Sequence, residues 1–254
     1  MVKNHRMINI IAYFCSFFLS ISCNEEELLT TLQAQQYVIA HRGSYMYHGL
    51  PENSRASLLE ALSLQIYGTE FDVRQTKDGE LVISHDGSFN GMDIAETSYD
   101  ELSKYKLANG EVIPTLRDFF TIYKGALSSK ILFVELKDCD VKKVVDLVKE
   151  FDIHNNIKYI SFNKTYCDQL VHLDLGKFVL YLGGDLSPIE VKNEGYSGIS
   201  YQESAFISHP DWLKEAHDLG LVVCVWPINN LEKMRYFINK DVLISTDYPY
   251  LFSN

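Results

Sequence analysis

Cysteine is scarce in this chain and poorly spaced for bridging. Five occur in 254 residues; Cys15 lies inside an N-terminal apolar segment and Cys23 at its end. The other three, Cys139, Cys167 and Cys224, are scattered without CxxC spacing. That argues against a disulfide scaffold or a cysteine-based metal site, and the three read as small buried hydrophobes. Basic side chains are also short: 23 Lys and Arg against 34 Asp and Glu give a formal net charge of −11. An acidic surface speaks against nonspecific partnership with nucleic acid or anionic membranes, both of which select basic patches. Any anionic substrate must then be drawn in locally, by a metal ion, a few basic side chains or helix N-termini. There is no internal repeat, low-complexity tract or interdomain linker, and hydrophobic content is an ordinary 46%.

The N-terminus reads as a targeting segment. Lys3, His5 and Arg6 precede a nearly continuous apolar run from Met7 to Ile21, short for a membrane span and suited to a signal peptide over residues 1–22. The run closes in Ser20-Ile21-Ser22-Cys23, which places Cys23 where a lipobox has its lipidated cysteine, although Ser20 stands where Leu is more usual. Asn24-Glu25-Glu26-Glu27 resembles the acidic tether of Bacteroidetes surface lipoproteins. The expectation is an exported chain, lipid-anchored through Cys23 at the outer membrane or surface, and otherwise periplasmic. Residues 23–36 would be a polar tether and 37–254 the folded domain. Cleavage after residue 22 removes Lys3 and Arg6 and no acid, taking the net charge from −11 to about −13.

Beyond residue 36, short apolar runs alternate with helix-period stretches. Strands are expected at Tyr37–His41, Thr69–Val73, Ile131–Lys137, Ile157–Ser161, Lys177–Leu182, Ser197–Tyr201, Leu221–Trp226 and Val242–Thr246. Helical patterns cover Ser54–Leu64, Val141–Phe151, Tyr166–Leu173, Asp211–Leu219 and Asn230–Ile238, with another beginning near Leu116. Val141, Val144, Val145, Val148 and Phe151 would share one helix face. Continuous apolar strands, each followed by a helix, imply a parallel sheet covered by helices. Eight such units in about 250 residues fit a closed α/β structure, the (β/α)8 TIM barrel. Leu81–His85 breaks the rhythm. It follows the turn Thr76–Gly79 with no helix between, so it reads as a hairpin and loop insertion after the second barrel strand.

Polar residues collect at the ends of the early strands. His41 and Arg42 close the first, Glu70 and Asp72 the second, Glu135 and Lys137 the third, and His85 the inserted hairpin. Side chains two apart on a strand share a face, so Glu70 pairs with Asp72 and Glu135 with Lys137 at one barrel mouth. Three converging carboxylates repel unless a cation sits among them, and an all-oxygen set suits one divalent ion, Mg²⁺ or Ca²⁺. Two histidines near neutral pKa can serve as base and acid, and Arg42 and Lys137 can hold an anion.

In order, the chain carries His41-Arg42-Gly43, Pro51-Glu52-Asn53-Ser54, Glu70-Phe71-Asp72-Val73, Thr76-Lys77-Asp78-Gly79 and Leu81–Asp86. Ile113–Leu116, Val134–Lys137, Ser161-Phe162, Val225–Asn229 and Ser245–Pro249 follow. This series resembles the glycerophosphodiester phosphodiesterase family from Tyr37 to Leu251. The resemblance implies His41 and His85 as acid/base residues and Glu70, Asp72 and Glu135 as metal ligands. It also implies Arg42, Lys137 and Glu52 on the phosphate side, and Trp226 against the glycerol side. The implied substrate is a small phosphodiester, with the membrane touched only through the lipid anchor. Asn53 or Ser54 could also cap the following helix. Phe89-Asn90-Gly91-Met92 departs from the family's Leu-Asp-Arg-Thr-like run, and Pro227 stands where Thr is common, so headgroup choice is open. Two alternatives remain at this point: a phospholipase-like enzyme on lysolipids, for which Phe89, Met92 and Tyr99 could form an apolar rim, and a noncatalytic ligand-binding surface lipoprotein.

Overall fold

A computed structural model describes residues 34–173 and 178–252. The leader, Cys23 and most of the tether lie outside the described residues. Ala34 and Gln35 are buried, so the packed body already includes the last residues assigned to the tether.

Eight parallel strands close into a barrel. They are β1 (Val38–Ala40), β2 (Gly68–Gln75), β6 (Ile131–Asp138), β7 (Ile157–Ser161), β8 (Phe178–Tyr181), β9 (Gly198–Gln202), β10 (Val222–Trp226) and β11 (Leu243–Thr246). The closing seam pairs β1 with β11 in the register Ala40↔Thr246, which sets His41 and Asp247 side by side. Every expected strand forms, within a few residues at each end. β3 (Leu81–Ile83) pairs antiparallel with β2 in the register Val73↔Ile83, which is the anticipated hairpin. A ribbon of β4 (Ser88–Phe89) and β5 (Met92–Asp93) follows it.

Alternation along the strands divides the interior in two. The larger cluster lies between sheet and helices. A smaller one, with Ile39, Phe133, Ile160, Leu180, Leu182 and Cys224, fills the lumen. The helix Val141–Glu150 buries the expected valine stripe (Val141, Val144, Val145, Val148), and Asp140 caps it by accepting from the Lys142 and Lys143 amides. Ser54, rather than Asn53, caps the helix Arg55–Ser63. Two helices without a long apolar period, Pro188–Asn193 and Glu203–Ser208, complete the β8 and β9 units.

The insertion after β3 has its own small core of Val82, Ile94, Leu102 and Ile113, against which Phe89, Met92 and Tyr99 pack. These three are therefore not a free apolar rim, which removes the feature offered for a lysolipid enzyme. Among the described residues no helix is long and apolar enough to cross a membrane. Cys139, Cys167 and Cys224 are free and buried, as their scattered spacing implied.

Candidate active site

The C-terminal ends of β1, β2 and β6 converge on one cavity. His41, Arg42, Glu70, His85, Glu135, Lys137 and Trp226 all line it. Asp72 is buried beside them. Glu52 sits on the outer flank, and Cys23 lies outside the described residues.

Register explains the carboxylate cluster. β2 and β6 pair with Asp72 opposite Glu135 and Glu70 opposite Phe133. One ligand atom from each of Glu70, Asp72 and Glu135 lies within 4.8 Å of the others, and all three residues are buried. Lys137 Nζ enters the cluster at 2.5 Å from Glu135 Oε1 and 3.3 Å from Asp72 Oδ1. Arg42 Nε also lies 3.7 Å from Asp72 Oδ2, but its guanidinium is shared with Glu52, so the two bases do not balance the acids around them. Burial, and then the neighbouring Asp72 and Glu135 charges, push Glu70 well above the usual carboxylate range. Burial and Asp72 push Glu135 up to about 7 even with Lys137 beside it. Glu70 Oε1 is buried without a hydrogen-bond partner. Hard oxygen donors, excess negative charge and an unsatisfied buried oxygen fit a divalent cation.

Arg42 enters the site through a strained turn. Its φ is +53°, and Asn53 across from it has φ +54°. In that conformation the Arg42 amide donates to Glu70 Oε2 at 2.9 Å, and the Asn53 amide donates to the Arg42 carbonyl at 3.0 Å. Asn53 Nδ2 donates to Asp72 Oδ2 at 2.8 Å, holding one carboxylate of the triad from behind. Gly43, with φ +84°, must remain glycine, because a Cβ there would stand 2.5 Å from Ser57 Oγ and 2.8 Å from the Ser57 carbonyl carbon. Glu52 grips the Arg42 guanidinium from Nη1 at 2.9 and 3.0 Å, so its contact is with Arg42 and not with the cavity.

The two histidines are oriented alike. His41 Nδ1 lies 2.8 Å from Asp247 Oδ1, which also accepts from the Tyr45 hydroxyl at 2.9 Å. Asn229 donates to Asp247 Oδ2 at 2.5 Å. Against a burial penalty, the His41 and Asn229 hydrogen bonds hold Asp247 below its ordinary value, so it is an acceptor. His41 Nδ1 must then carry the proton, leaving the Nε2 lone pair 4.0 Å from Glu70 Oε2. His85 Nδ1 is 2.8 Å from Asp86 Oδ1, and that hydrogen bond lowers the Asp86 pKa. Arg74 fixes the His85 backbone with two bonds to its carbonyl at 3.1 and 2.7 Å. His41 is 14% exposed and His85 35%, so one is enclosed and the other meets solvent.

Across the lumen from β2 and β6 the wall is small and polar, with Ser200, Cys224 and Ser245. Burial pushes the Cys224 thiol up to about 12, so it stays neutral. Trp226 is fixed by its Nε1 donating to the Ser200 carbonyl at 2.7 Å, and Phe162 meets it edge-on at 5.5 Å between ring centroids.

Asp247, Asn229 and Phe162 stand inside the sequence motifs with no role marked by their residue type, and neither Tyr45 nor the Asn53–Asp72 bond is signalled there. Barrel closure was the available signal for Asp247. Once the first and eighth strands pair, the residues following them must be neighbours.

The chain matches known proteins over this same region. Residues 41–249 match the glycerophosphoryl diester phosphodiesterase family. A solved glycerophosphodiester phosphodiesterase from Parabacteroides distasonis superposes with a TM-score of 0.81 at 36% identity, covering 85% of this chain and 94% of that one. A glycerophosphodiester phosphodiesterase of Caldanaerobacter subterraneus subsp. tengcongensis is 29% identical over 84% of this chain and 94% of its own length. An Oleispira antarctica phosphodiesterase, solved with the product sn-glycerol-3-phosphate, shares the fold at a TM-score of 0.73 and 24% identity, covering 85% and 94% of the two chains.

Proposed function

Because the chain belongs to the glycerophosphoryl diester phosphodiesterase family and is an enzyme of that class, we propose that it hydrolyses glycerophosphodiesters to glycerol 3-phosphate and an alcohol. In this reading the reaction depends on one divalent cation and two histidines. The observation that carries it is the pairing, in one cavity, of a charge-excess carboxylate triad with two imidazoles that are each anchored through Nδ1.

Glu70, Asp72 and Glu135 would hold the ion, either Mg²⁺ or Ca²⁺. When bound, it supplies charge neutralisation for the phosphate and for the charge that builds in the transition state. The remaining work falls to the protein's own groups. Arg42, aimed by Glu52, and Lys137 orient the phosphate oxygens; Trp226 packs against the glycerol arm. One imidazole Nε2 takes the proton from the attacking oxygen, and the other returns a proton to the departing alkoxide. Where water attacks, glycerol 3-phosphate and the alcohol form in one displacement; where the neighbouring substrate hydroxyl attacks, a cyclic phosphate and the alcohol form, and water then opens the ring with the two imidazoles exchanging roles. His41 is assigned as the base, its partner Asp247 being enclosed, and His85, whose partner Asp86 is exposed, as the acid where a leaving alcohol can depart.

The N-terminal sequence supports export and attachment at the envelope through Cys23, with the membrane reached only by that anchor and no nucleic-acid partner. A mass measurement of the mature N-terminus tests this.

The function is tested by release of glycerol 3-phosphate and free alcohol, with and without EDTA, in wild type, His41→Ala and His85→Ala. Chelation should abolish turnover, and each substitution should lower kcat by about 100-fold or more. Turnover that survives EDTA would remove the metal from the mechanism. An unimpaired histidine variant would remove that residue from proton transfer.

A further inference from the structure

One buried polar atom in the catalytic cavity is claimed neither by the carboxylate triad, nor by the phosphate-side bases, nor by proton transfer. Ser245 is 5% exposed and lines the cavity, and its Oγ has no hydrogen-bond partner among the described residues. The neighbouring serine on that wall is accounted for, since the Ser200 hydroxyl is hydrogen-bonded to the Cys224 thiol. A hydroxyl enclosed without a partner is unfavourable until a ligand group completes it.

Register sets the depth of Ser245. It pairs with Ile39, one residue before the Ala40↔Thr246 closure. Side chains two apart on a strand share a face, so Ser245 lies one layer below Asp247, as Ile39 lies one layer below His41. One layer is two residues of strand, roughly 7 Å, about the reach of a three-carbon arm from its phosphate. At this depth the lumen is closed and mostly apolar: Ile39, Phe133, Leu182 and Cys224 are all buried and line the same cavity. A group arriving there meets carbon on its sides and one unclaimed hydroxyl. The His85 end of the cavity is open by comparison, with that side chain 35% exposed.

Resting on the diester-hydrolase reading above, we propose that Ser245 determines specificity for the glycerol arm: its hydroxyl bonds the terminal hydroxyl of that arm, and the closed wall around it requires that hydroxyl to be free. The glycerol arm is common to all the substrates and stays on the phosphate, which suits the enclosed end. The alcohol arm varies and departs, which suits the open end at His85. The carbons of the glycerol arm pack on Ile39 and Trp226, and an acyl chain on its terminal oxygen has no room behind Ser245. The substrates are then fully deacylated diesters.

The test compares three phosphocholine diesters in wild type and Ser245→Ala, with divalent cation present. They are glycerophosphocholine, the analogue that lacks the terminal hydroxyl, and lysophosphatidylcholine acylated at the terminal oxygen. Choline release reports all three on one scale, and bis(p-nitrophenyl) phosphate, which has no glycerol arm, reports catalytic integrity. Wild type should favour glycerophosphocholine over each of the other two by about 10-fold or more in kcat/KM. Ser245→Ala should lose about 10-fold on glycerophosphocholine, mostly through KM, with little change on the deoxy analogue or the aryl diester. Inhibition of aryl diester turnover by glycerol 3-phosphate should weaken by about 10-fold in the variant, while inhibition by inorganic phosphate holds. Because the hydroxyl has no partner within the protein, the substrate-free variant should melt no lower than wild type.

Equal wild-type turnover of glycerophosphocholine and the deoxy analogue would overturn the assignment and leave the hydrolase function standing. So would an equal loss on every substrate in Ser245→Ala, or unchanged inhibition by glycerol 3-phosphate. Lysolipid turnover matching that of glycerophosphocholine would overturn the closed wall. Turnover of none of the diesters would overturn both readings.

Discussion

At the scale of single residues, Asp247 decides what His41 can do. It accepts from Nδ1, so the imidazole keeps its Nε2 lone pair toward the cavity, and it stabilises the ring once protonated. Asp247→Asn offers an amide that can donate instead, favouring the opposite tautomer. The expected result is a fall in kcat on the order of 10²- to 10⁴-fold with KM little changed. The thermal midpoint should stay within a few degrees. A variant that lost KM alone would show Asp247 to be a binding group. Asp247 also shows where reading residues in order stops. His41, Glu70, Asp72, Glu135 and His85 are legible because each ends an apolar run with a chemically loaded side chain. Asp247 ends one too, but its partner is 206 residues away, and only closure of the barrel joins them. The strained backbone of Arg42 and Asn53 is likewise invisible in sequence, since neither residue type demands a left-handed conformation.

Among elements, the joint between the β1 loop and the helix Arg55–Ser63 carries the most consequence. Ser54 Oγ accepts from the Ser57 amide at 3.0 Å, and Ser57 Oγ accepts from the Ser54 amide at 3.1 Å. The Ser57 hydroxyl lies 3.2 Å from the Arg42 carbonyl, so the helix start and the Arg42 turn are tied together. Ser54→Ala should cost about 1 kcal/mol, or roughly 2–4 °C in Tm, and slacken the turn that aims Arg42. The signature expected in kinetics is a raised KM with kcat nearly kept; unchanged Tm and KM would show the box to be dispensable. Eight strands were readable as continuous apolar runs because helices cover one face and the lumen the other. Pro188–Asn193 and Glu203–Ser208 escaped because six residues span less than two turns, too few to display a period. For the first, the cue was local: Ser187 pairs with Glu190 in a capping box and Pro188 opens the helix.

For the whole molecule, the proposed metal site at the carboxylate triad would link metal, pH and stability. In chelator, burial first and Asp72 next keep Glu135 protonated up to about pH 7, and Glu70 is raised in the same direction. An unfolded glutamate titrates near 4.5. Between 4.5 and about 7 the native chain therefore holds protons that the unfolded chain has released. The triad's contribution is most favourable at the acid end of that window and declines as pH rises through it. A divalent cation held by the triad would reverse the trend, because it would compete with those protons and bind more tightly as they leave. At 100 times Kd the gain is about 2.7 kcal/mol, or roughly 5–10 °C in Tm for a chain of this size. Thermal melts in EDTA, Mg²⁺ and Ca²⁺ at pH 5, 6, 7 and 8 should show a metal-induced rise that is small at pH 5 and largest at pH 8. Glu135→Gln separates charge from shape. It removes one of three repelling carboxylates while Lys137 keeps Asp72 at 3.3 Å, so in EDTA at pH 8 it should melt higher than wild type. The same variant should lose most of the metal-induced rise. A metal response independent of pH, or one undiminished in Glu135→Gln, would place the ion elsewhere on the protein.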